Sequence, residues 1–184
     1  MQKIQAVYPL SQPSLGALTD VLTQITVPKG KLLFKAGRIE KDIYFIEQGI
    51  ARAYSIQDDK EVTFWFGSEG DLLFAYNSYV ANNPGYENIE LLEDAVLYKF
   101  SVKDIQQLYT TNIEIANWGR KFAEQEMIKT EERLISRLFS SAGQRYHDLV
   151  DTAPHFIQRI QLSHIASYLG VTQVTLSRIR AGKQ

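Results

Sequence analysis

Residues 159–184, RIQLSHIASYLGVTQVTLSRIRAGKQ, decide the reading of this chain. Leu162 is an apolar lead-in, and Ser163 is placed to cap a first helix carrying Ile165, Ala166 and Leu169. Gly170 allows the left-handed backbone of a tight corner, with Val171 packed inward. Thr172 is placed to cap a second helix holding Val174, Leu176 and Ile179, with Gln173, Thr175, Ser177, Arg178 and Arg180 around it. Two short helices joined through Leu-Gly-Val are the signature of a helix-turn-helix, and small Ala166 lets the helices cross closely. From Thr152 onward the chain has Arg159, Arg178, Arg180 and Lys183 and no acidic residue.

The second helix of such a pair enters the major groove and offers its N-terminal turns to base edges. Gln173 suits adenine, and Arg178 suits guanine or phosphate. Thr172, Thr175 and Ser177 suit phosphate or a thymine methyl, Arg180 and Lys183 suit phosphate, and Ser163 joins this DNA-facing set as the expected cap. Val174 is either apolar readout or packing. The bland alternative is that Arg and Ser on an exposed helical face are ordinary surface.

Working toward the N-terminus, Ser141-Ala142-Gly143 breaks the chain, Arg145–Val150 reads as a short helix, and Pro154 interrupts again. A helical pattern spans about Asn112 to Phe139, long enough to seek a partner helix. Its apolar positions Ile115, Trp118, Phe122 and Ile128 are the expected dimerisation contacts, continued by Ile135 and Leu138. Gln125 and Glu132 interrupt the heptad, and a break near Thr130 would make two helices of it. Ser101–Tyr109 reads as a helix capped by Ser101, with Asp104 three residues on.

From Ile25 to Phe100 the texture is of short strands bounded by Gly30, Gly37, Gly49, Gly67 and Gly70. Ile43–Ile46 and Ala51–Ile56 alternate with period two, and Gln57-Asp58-Asp59-Lys60 is a polar turn that makes a hairpin. Strands about ten residues apart fit an antiparallel roll closed on itself. Before it, SLGALTDVL reads as an amphipathic helix with Ser14 as candidate cap. The fold class expected is therefore α+β: an N-terminal antiparallel β-roll, a long dimerisation helix and a C-terminal helix-turn-helix.

Composition narrows the function. The 184 residues hold 20 Lys+Arg and 21 Asp+Glu, net −1, which alone argues against a nucleic-acid binder. Split by segment, residues 1–110 carry ten basic and fourteen acidic side chains, whereas 111–184 carry ten and seven, so the mean hides a basic C-terminal part. No cysteine means no disulfide, thiolate metal site, iron–sulfur centre or cysteine switch, and three His leave little for a metal centre, so no metal or cofactor is expected. The N-terminus lacks a signal-peptide pattern and no window approaches 18 apolar residues, so a cytoplasmic protein with no membrane partner is expected. No GxGxxG, Walker A, HExxH or GxSxG motif occurs, and Ser163 and His164 are adjacent on a helix and cannot form a dyad, so the chain is not read as an enzyme.

On the residues IASYLG (Ile165–Gly170), TLSRIR (Thr175–Arg180), Arg145-Tyr146, Pro154 and the glycine-bounded DIYFIEQGIARAY, the chain resembles the CRP/FNR family of bacterial transcription regulators, in a Bacteroidetes-type flavour. The resemblance implies a cyclic-nucleotide-binding-like roll (1–110), a connecting and dimerisation helix (111–139) and a winged helix-turn-helix (140–184). It also implies a homodimer on double-stranded DNA. The family's base-contacting Arg, Glu and Arg fall on Gln173, Val174 and Arg178, so only Arg178 matches. The family's phosphate cassette falls on Gly70-Asp71-Leu72-Leu73 and the loop ending Tyr86-Glu87-Asn88. Gly70 and Leu72 match and Asp71 is placed to replace a ribose-binding Glu. No arginine stands between Arg52 and Arg120, and Glu87 would repel a phosphate, so cyclic AMP is not expected to bind. Gly70, Asp71, Leu72, Phe74, Tyr86, Glu87 and Asn88 are the candidate pocket for an unidentified small-molecule effector. Alternatively the aromatic residues fill a vestigial pocket. The competing functional reading is a ligand sensor or interaction protein that kept the fold without binding DNA.

Overall fold

In the computed structural model, which describes residues 2–182, the chain opens with α1 (Gln2–Val7) and α2 (Gln12–Asp20). The roll follows as β1 (Thr23–Val27), β2 (Leu32–Phe34), β3 (Asp42–Gln48), β4 (Ala51–Gln57), β5 (Lys60–Gly67) and β6 (Leu72–Leu73). It continues through α3 (Tyr76–Ala81), β7 (Asn88–Leu91) and β8 (Ala95–Ser101). Then come α4 (Val102–Thr111), α5 (Ile113–Phe139), α6 (Ala142–Thr152), α7 (Pro154–Arg159), α8 (Leu162–Leu169) and α9 (Gln173–Arg180).

The strands form two antiparallel sheets, ordered β1-β8-β3-β6 and β2-β7-β4-β5. Ile46, Ala51, Leu73, Leu91 and Leu97 are sealed between them with Phe34 and Tyr44. The hairpin at Asp58-Asp59 is a two-residue loop closing the Gln57–Lys60 pair. Both residues have positive φ, 50° and 60°, as a turn matched to strand twist requires.

Strand β5 carries a bulge. Ala53 pairs with Trp65 and Tyr54 with Thr63, which leaves Phe64 without a partner on β4. The extra residue re-aims its neighbours. Phe64 and Trp65 both pack toward the roll interior, while Thr63 and Phe66 both turn to the outer face. Gly67 is needed beside it, because a Cβ there would lie 2.0 Å from the Trp65 indole.

The N-terminal helix is capped differently from the expectation. Ser11 caps α2 by accepting the Ser14 N–H at 3.4 Å, with Pro13 in the first turn. Ser14 is instead a buried residue bonded to the Asn112 side chain. Ser101 caps α4 as read, and Asn112 caps α5 by accepting the Glu114 and Ile115 N–H groups at 3.0 and 3.2 Å. Helix α5 runs 27 residues without a break, Thr130 included.

Two of the expected dimerisation residues are core residues of this chain. Ile115 and Trp118 are 0% and 4% exposed, covered by Ile4, Leu10 and Leu18 of the N-terminal segment and by Ile43, Phe45 and Phe100 of the roll. The Trp118 indole N–H donates to the Ile4 carbonyl at 2.9 Å, so even its polar edge is used internally. Phe122 stacks on Trp118 with ring centroids 5.9 Å apart and is half-buried. Ile128 alone of the four is exposed, at 56%, and Ile135, Leu138 and Phe139 continue that bare strip. No strand follows β8 among the described residues, so the wing of the expected winged helix-turn-helix has no counterpart there. Only Ala181 and Gly182 follow α9 within them.

Candidate functional site

The C-terminal helix pair forms as its sequence dictates. Gly170 takes φ 70° at the end of α8, and its N–H and that of Val171 donate to Ser167 and Ala166 carbonyls at 3.1 and 3.0 Å. Thr172 caps α9, accepting the Thr175 N–H at 3.1 Å. Ser163 is not the cap of α8: Gln161 holds that position with no side-chain bond, and Ser163 lies half-buried in the first turn. A serine two places past the cap position cannot fold back onto the free N–H groups.

Beneath the pair, Ile165, Ala166, Leu169 and Leu176 are buried with Tyr146, Leu149 and Ile160. The last carbonyls of α8 are taken by arginines. Arg137 of α5 donates to the Tyr168 oxygen at 2.8 Å, and Arg145 of α6 to the Leu169 oxygen at 2.8 Å. Cations at a helix C-terminus also meet the favourable end of its dipole. The outward face of α9 is bare. Gln173, Val174, Thr175, Ser177, Arg178 and Arg180 are exposed, and Val174, at 62%, has no packing role. Among the described residues neither Arg178 nor Arg180 pairs with a carboxylate. Lys183 lies outside the described residues.

The pair is docked on the outer face of the second sheet. Ser167 donates to the Glu61 carbonyl at 2.8 Å and accepts the Thr63 N–H at 2.9 Å. Phe66 packs between Tyr168 and Phe156, at centroid distances of 5.0 and 5.6 Å. Arg159 of α7 reaches back to the roll, bonding both Glu69 oxygens at 2.7 and 3.0 Å and also the Glu93 carboxylate. That guanidinium holds the Glu69 carboxyl down to about 2. On the same outer face Arg52 is 3% exposed, pairs with Glu61 and Glu90 at 2.6 and 2.7 Å, and lies 4.2 Å from the Tyr54 ring centroid.

Inside, a cavity of about 960 Å³ opens between the roll and α5. Its walls are mainly aromatic and aliphatic: Phe64, Trp65, Phe74, Tyr79 and Tyr86 from the roll side, Trp118 and Phe122 from α5. Tyr109 crosses toward Gly119, where a Cβ would lie 2.4 Å from its hydroxyl; burial, then a hydrogen bond with Tyr79, raises that phenol well above its ordinary value. Of the pocket residues read from the sequence, Leu72, Phe74, Tyr86 and Glu87 line the cavity. Gly70, Asp71 and Asn88 do not. Gly70, at φ 100°, is covered by the Lys3 side chain. The Asp71 carboxylate turns back to accept the Ser68 N–H at 2.8 Å, and burial pushes its pKa up. Asn88 accepts the Ala36 N–H at 3.1 Å. The sequence reading missed the α5 and α4 contributions, Gly119 and Tyr109 among them, because nothing in a linear pattern says which helix closes a roll.

A sensor-like roll joined through a long helix to a helix-turn-helix defines the class: a two-part, ligand-cavity-bearing regulator architecture. Residues 24–112 match the family profile described as the cyclic nucleotide-binding domain. The chain is 23% identical to electron transport regulator A of Shewanella oneidensis and 25% identical to the fumarate and nitrate reduction regulatory protein of Salmonella typhi. In each case the match covers 94% of this chain and 73% of the relative. The solved structure of a Crp/Fnr-family transcriptional regulator from Eubacterium rectale superposes with a TM-score of 0.74 at 16% identity, covering 96% of this chain and 87% of that one. Its roll is thus similar to a cyclic nucleotide-binding domain, and nearly the whole chain is similar to regulators of the CRP/FNR kind.

Proposed function

We propose that this chain is a sequence-specific, cytoplasmic DNA-binding transcription regulator acting as a homodimer, with α9 as the reading helix. The carrying observation is the face of α9: six polar, basic or small apolar side chains, Gln173 to Arg180, exposed on a helix whose other side is fixed by Leu176. Arg178 is the base-reading candidate, Gln173 and Val174 set a half-site different from that of a Glu-bearing relative, and Arg180 with Thr172 suits phosphate. Thr175 and Ser177 complete the same face. The division into a sensor (1–110), a connector (111–139) and a reader (140–184) follows from this assignment of roles. Dimerisation falls on Ile128, Ile135, Leu138 and Phe139, the strip of α5 that the roll leaves bare.

The cavity is the effector site, and its aromatic walls make a cyclic phosphate a poor occupant. Burying that anion needs a bidentate cation or a nest of amides, and the cassette loop presents Glu87. The deciding experiment selects duplexes from a random pool with the full chain. A pseudo-palindrome with half-sites about 34 Å apart, bound with a steep salt dependence, is the expected result. Failure to enrich any motif, with equal affinity for all duplexes, would favour the non-DNA-binding sensor.

A further inference from the structure

Among the described residues Glu87 is the most deeply buried carboxylate of the cavity wall, and its surroundings say what should meet it. The residue is 5% exposed, on the loop before β7, and lines the cavity. Its Oε2 accepts the Tyr86 N–H at 2.9 Å, and Gly85 leaves room beside that oxygen, where a Cβ would stand 3.2 Å away. Among the described residues no Lys, Arg or His nitrogen comes within ion-pair distance of it. A carboxylate withdrawn from water with a single amide donor is poorly compensated and gains most from an incoming cation.

The rings around it suit that cation. Phe64 and Tyr86 lie at 6.0 Å between centroids with their planes tilted by 39°, and Phe74 gathers Tyr76, Tyr79 and Phe122 within 6.3 Å. Aromatic faces attract an ammonium and exclude competing water. Two arginines also line the cavity, Arg133 bonded to the Thr130 hydroxyl and Arg137 to the Tyr168 carbonyl, both at 2.8 Å, neutral partners that leave their charge in place. Glu126 and Glu131 line the cavity as well, so with Glu87 three carboxylates stand against two guanidiniums.

We infer that the cavity takes an organic cation, an amine or quaternary ammonium on an apolar or aromatic body, with Glu87 binding the charge and Phe64 and Tyr86 flanking it. This rests on the effector-site reading above and reverses the charge of the ligand that the cassette of a cyclic-nucleotide binder would hold. A volume of about 960 Å³ is at the upper end for a small-molecule site, so the apolar body has room.

The test uses three probes of one shape: 4-phenylbutylammonium, 4-phenylbutanol and 4-phenylbutyrate, titrated at neutral pH into the full chain. Both tryptophans of the sequence, Trp65 and Trp118, line the cavity, so their fluorescence reports occupancy directly. The ammonium should bind roughly tenfold tighter than the alcohol, with the carboxylate weakest. Glu87→Gln should bring ammonium and alcohol to within about twofold of each other. Equal binding of all three probes overturns the inference and leaves the effector-site reading standing. No saturable signal from any of them overturns both. A carboxylate preference, or an ammonium preference that survives in Glu87→Gln, also overturns it. If Glu87→Gln fails to fold by circular dichroism, the ranking of the three probes on the native chain still decides.

Discussion

Replacing Arg159 with Met tests whether the reader is clamped to the roll by charge. Arg159 bonds both oxygens of Glu69 and also reaches Glu93, and Glu69 receives one further bond, the Gly49 N–H at 3.0 Å. The guanidinium, helped to a lesser degree by the Gly49 and Glu69 amides, lowers the Glu69 carboxyl from 4.5 to about 2. At about 1.36 kcal/mol per pH unit, that difference is worth about 3.4 kcal/mol as a ceiling. Both side chains are 30% exposed, so solvent screening reduces the net to about 1–2 kcal/mol. A depressed carboxylate stabilises the fold above its unfolded value and loses that contribution as pH falls through the folded one. Arg159→Met should therefore unfold about 2–8 °C below the parent at pH 7. The gap should narrow as pH falls below 4.5 and close near pH 2. Calorimetric scans of both chains across this range make the comparison. A gap that stays constant with pH would show that Arg159 acts through packing and refute the electrostatic account.

Arg178→Ala should cost on the order of 1–3 kcal/mol in specific DNA binding and relax preference at one base position, as a footprinting titration would reveal; unchanged specificity would move the reading role elsewhere on α9. Ile135→Glu with Leu138→Glu should shift the chain to monomer in sedimentation without lowering its melting temperature by more than a degree or so, since both side chains are at least half exposed. Persistence of a dimer would place the interface off α5. Cyclic AMP should give no saturable heat on titration, and a micromolar dissociation constant would show that the cavity can satisfy a phosphate despite Glu87.

The helix-turn-helix was legible because its signals are local. Gly170 must be left-handed and Thr172 must meet the free N–H groups of the next turn, and both requirements concern residues within four positions. Capping was misread at Ser14 and Ser163, which lie inside their helices: the chain turns helical earlier, at Gln12 and Leu162, so Ser11 and Gln161 hold the cap positions. The periodicity of α5 correctly marked an apolar face at Ile115 and Trp118 but not what covers it. A stripe that packs on its own N-terminal segment reads the same as one that packs on a second copy. The cavity was half legible: Leu72, Phe74, Tyr86 and Glu87 lie within one stretch of the roll, from β6 to the start of β7. Tyr109 and Gly119 join them only through the fold.

The bulge at Phe64 has a mechanical consequence. In a regular strand Thr63 and Phe66 would face opposite sides, and a signal inside the roll would reach the reader by way of one side chain at a time. The unpaired residue shifts the parity of β5 by one. The cavity is thereby walled by the middle two residues of a four-residue stretch, and the reader is gripped by the outer two. An occupant that displaces the Phe64 and Trp65 rings pulls on a backbone whose next amide is bonded to Ser167, at 2.9 Å. Strand β5 thus ties the two halves through its own backbone, and removing the extra residue would turn side chains of this stretch to the wrong face of the sheet.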